Sequence, residues 1–305
     1  MRAAQANTVL VTGGRGFIGR AAGKLLQCTG YSVISLDRKA ATAGTEAGGC
    51  DEIICDLGDI AQLKTVFERK RVEAVIHLAA ILPTAAQRNP HLATEVNVQG
   101  SLNILELARQ FRVRRVVFGS SLSVYGTYSA DRVVSEVDRA APEDLYGAAK
   151  LYVERLGTAY RECHSLDCVS LRIGRAVGPG ARSVTSAWRS EIFELLKVSS
   201  PAEIELPYRA PEKLLLVHVE ELAAMFLSLL RAPRTEHAVY NAPCSSIAVG
   251  DLKRVVEDLN SNITVALGDG TPVGNPQDLD CSRFQSEFNF ETVPIVDRLR
   301  RSAGK

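Results

Sequence analysis

Tyr146 and Lys150 stand four residues apart in DLYGAAKLYVERL, one turn of a helix, so the phenol and the ammonium share a face. An ammonium beside a phenol favours the phenolate and brings a group of ordinary pKa ~10 towards a working range for proton transfer. Upstream, SSLSVYG follows the apolar run RRVVFG, which puts Ser120 and Ser121 at the carboxyl end of a strand. A hydroxyl there can hydrogen-bond an oxygen being oxidised and hold it beside the tyrosine.

Such chemistry needs a hydride carrier, and TGGRGFIG supplies a place for one. The first apolar strand runs straight into this segment, so Gly13, Gly16 and Gly19 occupy a strand-to-helix turn, with Phe17 and Ile18 opening the helix. Gly13 permits the tight turn, Gly16 lets backbone approach a pyrophosphate, and Gly19 lets the helix pack on the strand. The second strand ends at Asp37, an acid placed to bind the ribose hydroxyls of NAD and to repel the extra phosphate of NADP. Arg15, Arg38 and Lys39 are the counter-signal, three cations able to gather at that ribose, so NAD is expected with NADP as the alternative. Asp56 and Leu57, ending the third strand, border the adenine, or else Asp56 caps a turn.

The elements that must position these groups are legible as β-branched runs: TVLVT, SVISLD, EIICD, EAVIHLAA, RRVVFGSS and CVSLRI, separated by stretches of helical spacing. Near-continuous apolar strands alternating with helices predict an α/β chain with a doubly wound parallel sheet and its ligand at the strands' carboxyl ends. After residue 175 the alternation stops. The pattern predicts a Rossmann domain over 1–174, with 214–235 packing back on it, and a smaller C-terminal substrate lobe from 175–213 and 236–305.

Composition narrows the function. A formal charge of +1 with 46% hydrophobic residues argues against a nucleic-acid surface or a disordered tail and points to a small-molecule partner. The seven cysteines form no CxxC pair, the segment around Cys163, His164 and Cys168 matches no zinc spacing, and no metal is expected. No signal-like start or membrane-length apolar run is present, so a soluble cytoplasmic protein is expected. His77, His218 and His237 read as packing or capping residues.

In this order, TGGRGFIG, Asp37, CDLGD, VIHLAA, VNVQGSLNILELA, SSLSVYG, YGAAK and LRIGRAVGPG resemble the extended short-chain dehydrogenase/reductases, also described as NAD-dependent epimerase/dehydratases. The resemblance implies that Tyr146 is the acid/base, that Lys150 orients the ribose and lowers the tyrosine's pKa, and that Ser121 completes the catalytic set. It further implies that Leu78, Ala79 and Ala80 line the cofactor, that Asn97 supports the site, and that a homodimer forms through helices near 95–110 and 147–162.

Departures from the family narrow the chemistry. Dehydratases resembling this chain carry Asp-Glu where Leu122 and Ser123 stand, which leaves hydride transfer or epimerisation, with Ser123 a substrate contact. Leu214 and Leu215 replace an Arg-Asp that grips nucleotide phosphate, and Arg175 replaces an asparagine. The LRIG opening and later TSAWRSE are similar to uronate-type dehydrogenases. Arg175 thus reads as a fork for a substrate carboxylate or as a salt bridge, and Trp188 as a substrate cover or a core residue. The expected function is NAD-dependent hydride transfer at a secondary alcohol of a sugar acid or similar polyhydroxy compound. A nucleotide-sugar epimerase is the alternative, and an inactive dinucleotide-sensing protein the lesser one.

Overall fold

The computed structural model describes residues 7–38, 50–128, 132–181 and 186–305. Lys39 and residues 182–185 of the loop expected to cover the substrate lie outside them. Strands β1 (Thr8–Thr12), β2 (Ser32–Asp37), β3 (Asp51–Ile54), β4 (Ala74–His77) and β5 (Arg115–Ser121) join Asp167–Ile173 and Val239–Asn241 in one seven-stranded sheet. Every pairing in it is parallel. The order is β3, β2, β1, β4, β5, then Asp167–Ile173 and Val239–Asn241. The chain winds outward from β1 to β3 and crosses back to β4, so the switch point lies between β1 and β4.

Alternation along each strand feeds two apolar layers, which is why these runs are hydrophobic throughout. Val9 and Val11 pack on one side with Leu26, Phe226 and Leu229, while Leu10 packs on the other with Leu63, Ile104 and Leu107. The helix Val219–Arg231 contributes Phe226 and Leu229 to the first layer.

The smaller lobe has its own core of Trp188, Phe193, Ile204, Leu214, Val249 and Val256. A three-stranded sheet runs Ser245–Ala248, Lys213–His218, Arg175–Val177, and Ala202–Tyr208 pairs in parallel with Ile263–Gly270. Two boundaries differ from the sequence expectation. Val239–Asn241, assigned to the lobe, is the edge strand of the large sheet because its buried Tyr240 packs into that sheet's core. Lys213–His218, expected to pack back with the following helix, instead centres the lobe's sheet between Ser245–Ala248 and Arg175–Val177. Among the described residues no helix is long and apolar enough to cross a membrane.

Candidate active site

At the switch point Thr12 ties the ends of β1 and β4 together. Its hydroxyl accepts from the amides of Leu78 and Ala79, each at 3.2 Å, and donates to His77 Nδ1 at 2.6 Å. His77 Nε2 then donates to Ser101 Oγ at 2.9 Å, which donates to the Asn97 carbonyl at 2.7 Å. Only a neutral His77 satisfies this chain, and burial, with the Lys150 charge, pushes its pKa down to about 3. His218 caps the helix Val219–Arg231, and the His237 ring packs edge to face on Tyr240.

A cleft of about 1300 Å³ opens over these strand ends. Gly13, Gly16, Phe17, Ile18 and Gly19 form one end, with Asp37, Arg38, Asp56, Leu57, Leu78, Ala79 and Ala80 beside them. The turn fits a dinucleotide. Gly13 has φ +64°, and a Cβ there would lie 2.8 Å from the Ala79 amide nitrogen; one at Gly19 would overlap the Gly13 carbonyl. Asp37 is held at the rim by the amides of Arg15 at 3.3 Å and Arg38 at 2.8 Å. Asp56 both lines the cleft and accepts from Gly58 N at 2.9 Å, whereas the following helix is capped by Asp59.

The other end is built by the helix Leu145–His164, whose cap, Asp144, accepts from Gly147 N at 2.6 Å. The cap places Tyr146 in the first turn, facing β5, and Lys150 one turn deeper. Ser121 closes β5 by accepting from Ser123 N at 3.1 Å and donating to Ser123 Oγ at 3.1 Å. Ser121, Ser123, Tyr146, Lys150 and Arg175 all line the cleft. Lys150, 3% exposed, donates to the Gly119 carbonyl at 2.7 Å, with its ammonium 4.4 Å from the Phe118 ring centroid and 5.5 Å from that of Tyr146.

Burial is the largest influence on both Tyr146 and Lys150. Burial raises the Tyr146 phenol to about 12, opposed by a hydrogen bond with Ser121 and by the charge of Arg189, while Asp144 raises it further. Ser121 and Arg189 favour the phenolate against that burial. Burial also pushes Lys150 down to about 7, against the charge of Glu154. A phenolate or other anion formed nearby would hold the ammonium charged.

The contact between the helix and the β5 turn is backbone-tight: a Cβ on Gly147 would overlap the Ser123 carbonyl. Gly147→Ala is expected to displace Tyr146 from Ser121 and lower kcat by about 100-fold. Thermal melting and NAD binding measured beside turnover check this, because general unfolding would remove all three together.

Residues 9–242 match the NAD-dependent epimerase/dehydratase family. The chain belongs to that family. Curated relatives of this epimerase/dehydratase-family chain include a UDP-glucuronate 4-epimerase of Thermodesulfobacterium geofontis, 31% identical over 192 residues, 59% of each chain. A uronate dehydrogenase of Pseudomonas putida is 30% identical over 172 residues, 55% of this chain and 60% of that one. The chain thus spans about three fifths of the length of these relatives. The fold matches that of a GalE-like L-threonine dehydrogenase from Cupriavidus necator at TM-score 0.86, 20% identity, covering 98% of this chain and 99% of that one. It also matches a Thermus thermophilus UDP-glucose 4-epimerase in complex with NAD, at TM-score 0.83 and 24% identity over 97% and 98% of the two chains. NAD is the cofactor that the family and this glycine turn have in common.

Arg15 and Asn97, both expected against the cofactor, and Trp188, expected either over the substrate or in the core, do not line the cleft. The Arg15 guanidinium pairs with Glu52 on β3 and does not line the cleft, so its charge is drawn away from the ribose end. Asn97 is buried and braces the loop after β4, accepting from Ile81 N at 2.7 Å and donating to Ile81 O at 2.9 Å; it supports the wall without forming it. Trp188 is 2% exposed in the lobe's core. Its neighbour on the helix Trp188–Glu194, Arg189, lines the cleft instead, as the ~100° turn per residue requires. Sequence reasoning passed over Arg189 because the register of so short a helix is fixed only by what packs on it.

Proposed function

We propose that the protein is an NAD-dependent oxidoreductase that oxidises a secondary alcohol carbon on a sugar acid or similar small polyhydroxy compound. That Ser121, Tyr146 and Lys150 line the same cleft as the glycine turn carries this reading. NAD, when bound, supplies the hydride acceptor. Tyr146 would take the hydroxyl proton at its phenol oxygen, Ser121 would hold the substrate oxygen, and Lys150 would orient the cofactor ribose. Gly13, Gly16, Gly19, Asp37 and the Leu78–Ala80 wall hold the dinucleotide.

Asp37 at the rim and the engagement of Arg15 by Glu52 support NAD, while Arg38, which lines the cleft beside Asp37, is a cation that an NADP phosphate could still meet. Asp37→Ala is expected to raise KM for NAD about 10-fold and to admit NADP; initial rates with both cofactors check it, and an unchanged NAD preference would contradict the assignment.

Both a UDP-glucuronate 4-epimerase and a uronate dehydrogenase are similar to this chain, and both names specify a carboxylate-bearing sugar. Epimerisation through a keto intermediate uses the same three residues and is the second reading. Against a nucleotide-linked substrate, Leu214 and Leu215 are buried and offer the cleft no cation for a diphosphate. Dimerisation through the helices Ser101–Gln110 and Leu145–His164 belongs to the proposal, supported by Leu145 at 46% and Tyr152 at 53% exposure. A panel of uronic, aldonic and nucleotide-linked sugars with NAD, followed by nicotinamide absorbance, tests the reading; activity confined to nucleotide-linked sugars would refute it.

A further inference from the structure

Two arginines from different elements meet in the substrate end of the cleft. Arg175 opens the strand Arg175–Val177, and Arg189 is the second residue of the helix Trp188–Glu194. Both line the cleft, together with Tyr146 and Tyr208. Arg175 Cζ lies 5.6 Å from the Tyr208 ring centroid and Arg189 Cζ 5.9 Å from that of Trp188. Those two rings pack edge to face at 6.4 Å, so one aromatic step carries both guanidinium groups.

Neither guanidinium has a carboxylate within ion-pair distance or a side-chain hydrogen bond among the described residues, and Arg189 Nε is buried with no partner. The contrast is Arg172, three residues before Arg175, whose guanidinium is held by Glu154 at 2.9 and 2.7 Å. Glu194, at the end of the helix that carries Arg189, accepts from Gly180 N at 2.7 Å. Two partly buried cations with no counter-charge repel each other and lose hydration, an arrangement that an incoming anion relieves. The charge of Arg175 indeed disfavours protonation of Arg189, second only to burial.

We infer that Arg175 and Arg189 together form the seat for an oxyanion of the substrate, a carboxylate a few bonds from the carbon whose hydroxyl faces Tyr146. This rests on the dehydrogenase reading above, and deepens it. Two planar forks suit the two oxygens of a carboxylate, each taking parallel N–H donors. Arg189 is near enough to Tyr146 to act on its phenol, so the acid group and the reacting carbinol belong to one sugar ring or a compound of that size.

The test is calorimetric titration of the NAD-loaded protein with D-glucuronate, D-glucose and D-glucose 6-phosphate at constant ionic strength. Glucuronate is expected to bind roughly 10- to 100-fold more tightly than glucose, and Arg175→Gln and Arg189→Gln each to lose most of that margin. Arg→Lys at either position, which keeps the charge and loses the fork, is expected to fall between, and it serves if a Gln variant fails to fold. Arg189→Gln is also expected to move the alkaline limb of the pH–rate profile upward, since it removes a charge that favours the phenolate. Equal binding of glucuronate and glucose, or indifference to both substitutions, would overturn the seat, and tighter binding of the phosphate than of glucuronate would overturn its assignment to a carboxylate. Arginine-dependent glucuronate binding without NADH formation would instead leave the seat standing and remove the dehydrogenase reading; NADH from neutral sugars with no anion preference would do the reverse.

Discussion

Tyr146→Phe is expected to lower kcat by about 10²–10⁴-fold while NAD still binds. The phenol oxygen is the one acid/base group at the cleft's catalytic end that Ser121 engages and a helix cap fixes in place. Phenylalanine keeps the ring and the packing, so the loss isolates proton transfer. The phenol is pushed up to about 12 by burial, and oxidation needs its deprotonated form. Raising the pH increases the phenolate fraction, so kcat/KM for alcohol oxidation is expected to climb across the alkaline range, and Ser121→Ala, by removing a hydrogen bond that lowers the phenol, should shift the rise to higher pH. Tyr146→Phe should flatten the profile; an unchanged profile in that variant would show that another group takes the proton.

Glu154→Ala is expected to have the largest effect on stability, about 3–5 kcal/mol, because it leaves Arg172 as an uncompensated buried charge. Glu154 accepts from Arg172 Nε at 2.9 Å and from its terminal nitrogen at 2.7 Å, and from Ser120 Oγ at 2.6 Å, while Arg172 Cζ lies 4.6 Å from the Tyr125 centroid. These contacts bind the catalytic helix to β5 and to Asp167–Ile173, so a fall in Tm of roughly 5–15 °C should accompany lost activity. Replacing both partners by apolar residues of similar volume is expected to recover much of the loss. Arg175→Gln removes a cation that has no such partner among the described residues, and its Tm should stay level or rise. Calorimetric scans of the three variants separate the structural arginine from the binding one; a large destabilisation by Arg175→Gln would make it structural too.

What the sequence discloses here is mostly what is local. The glycine turn, the Tyr146–Lys150 turn of helix and the Ser121 strand end are each set by residues a few positions apart, and each is found where the cleft is. Groups placed by distant packing were not legible. Arg15 is drawn to Glu52, which is adjacent only because β2 and β3 pair; Val239–Asn241 returns to the large sheet through a non-local pairing; and the lobe's core fixes the helix register that buries Trp188 and brings Arg189 to the cleft. The direction of the Tyr146 shift is a matter of burial, which spacing alone does not express. Arg175 was conspicuous in LRIGRAVGPG, yet its reading as half of a pair required Arg189, on another element of the fold.

The most direct measurement is the absorbance of reduced nicotinamide when the purified protein meets NAD and a free uronic acid. Steady net formation of NADH, with a dissociable cofactor and loss of the signal in Tyr146→Phe, is the expected result. No NADH from any free sugar acid, together with tightly retained NAD and interconversion of nucleotide-linked epimers, would contradict it.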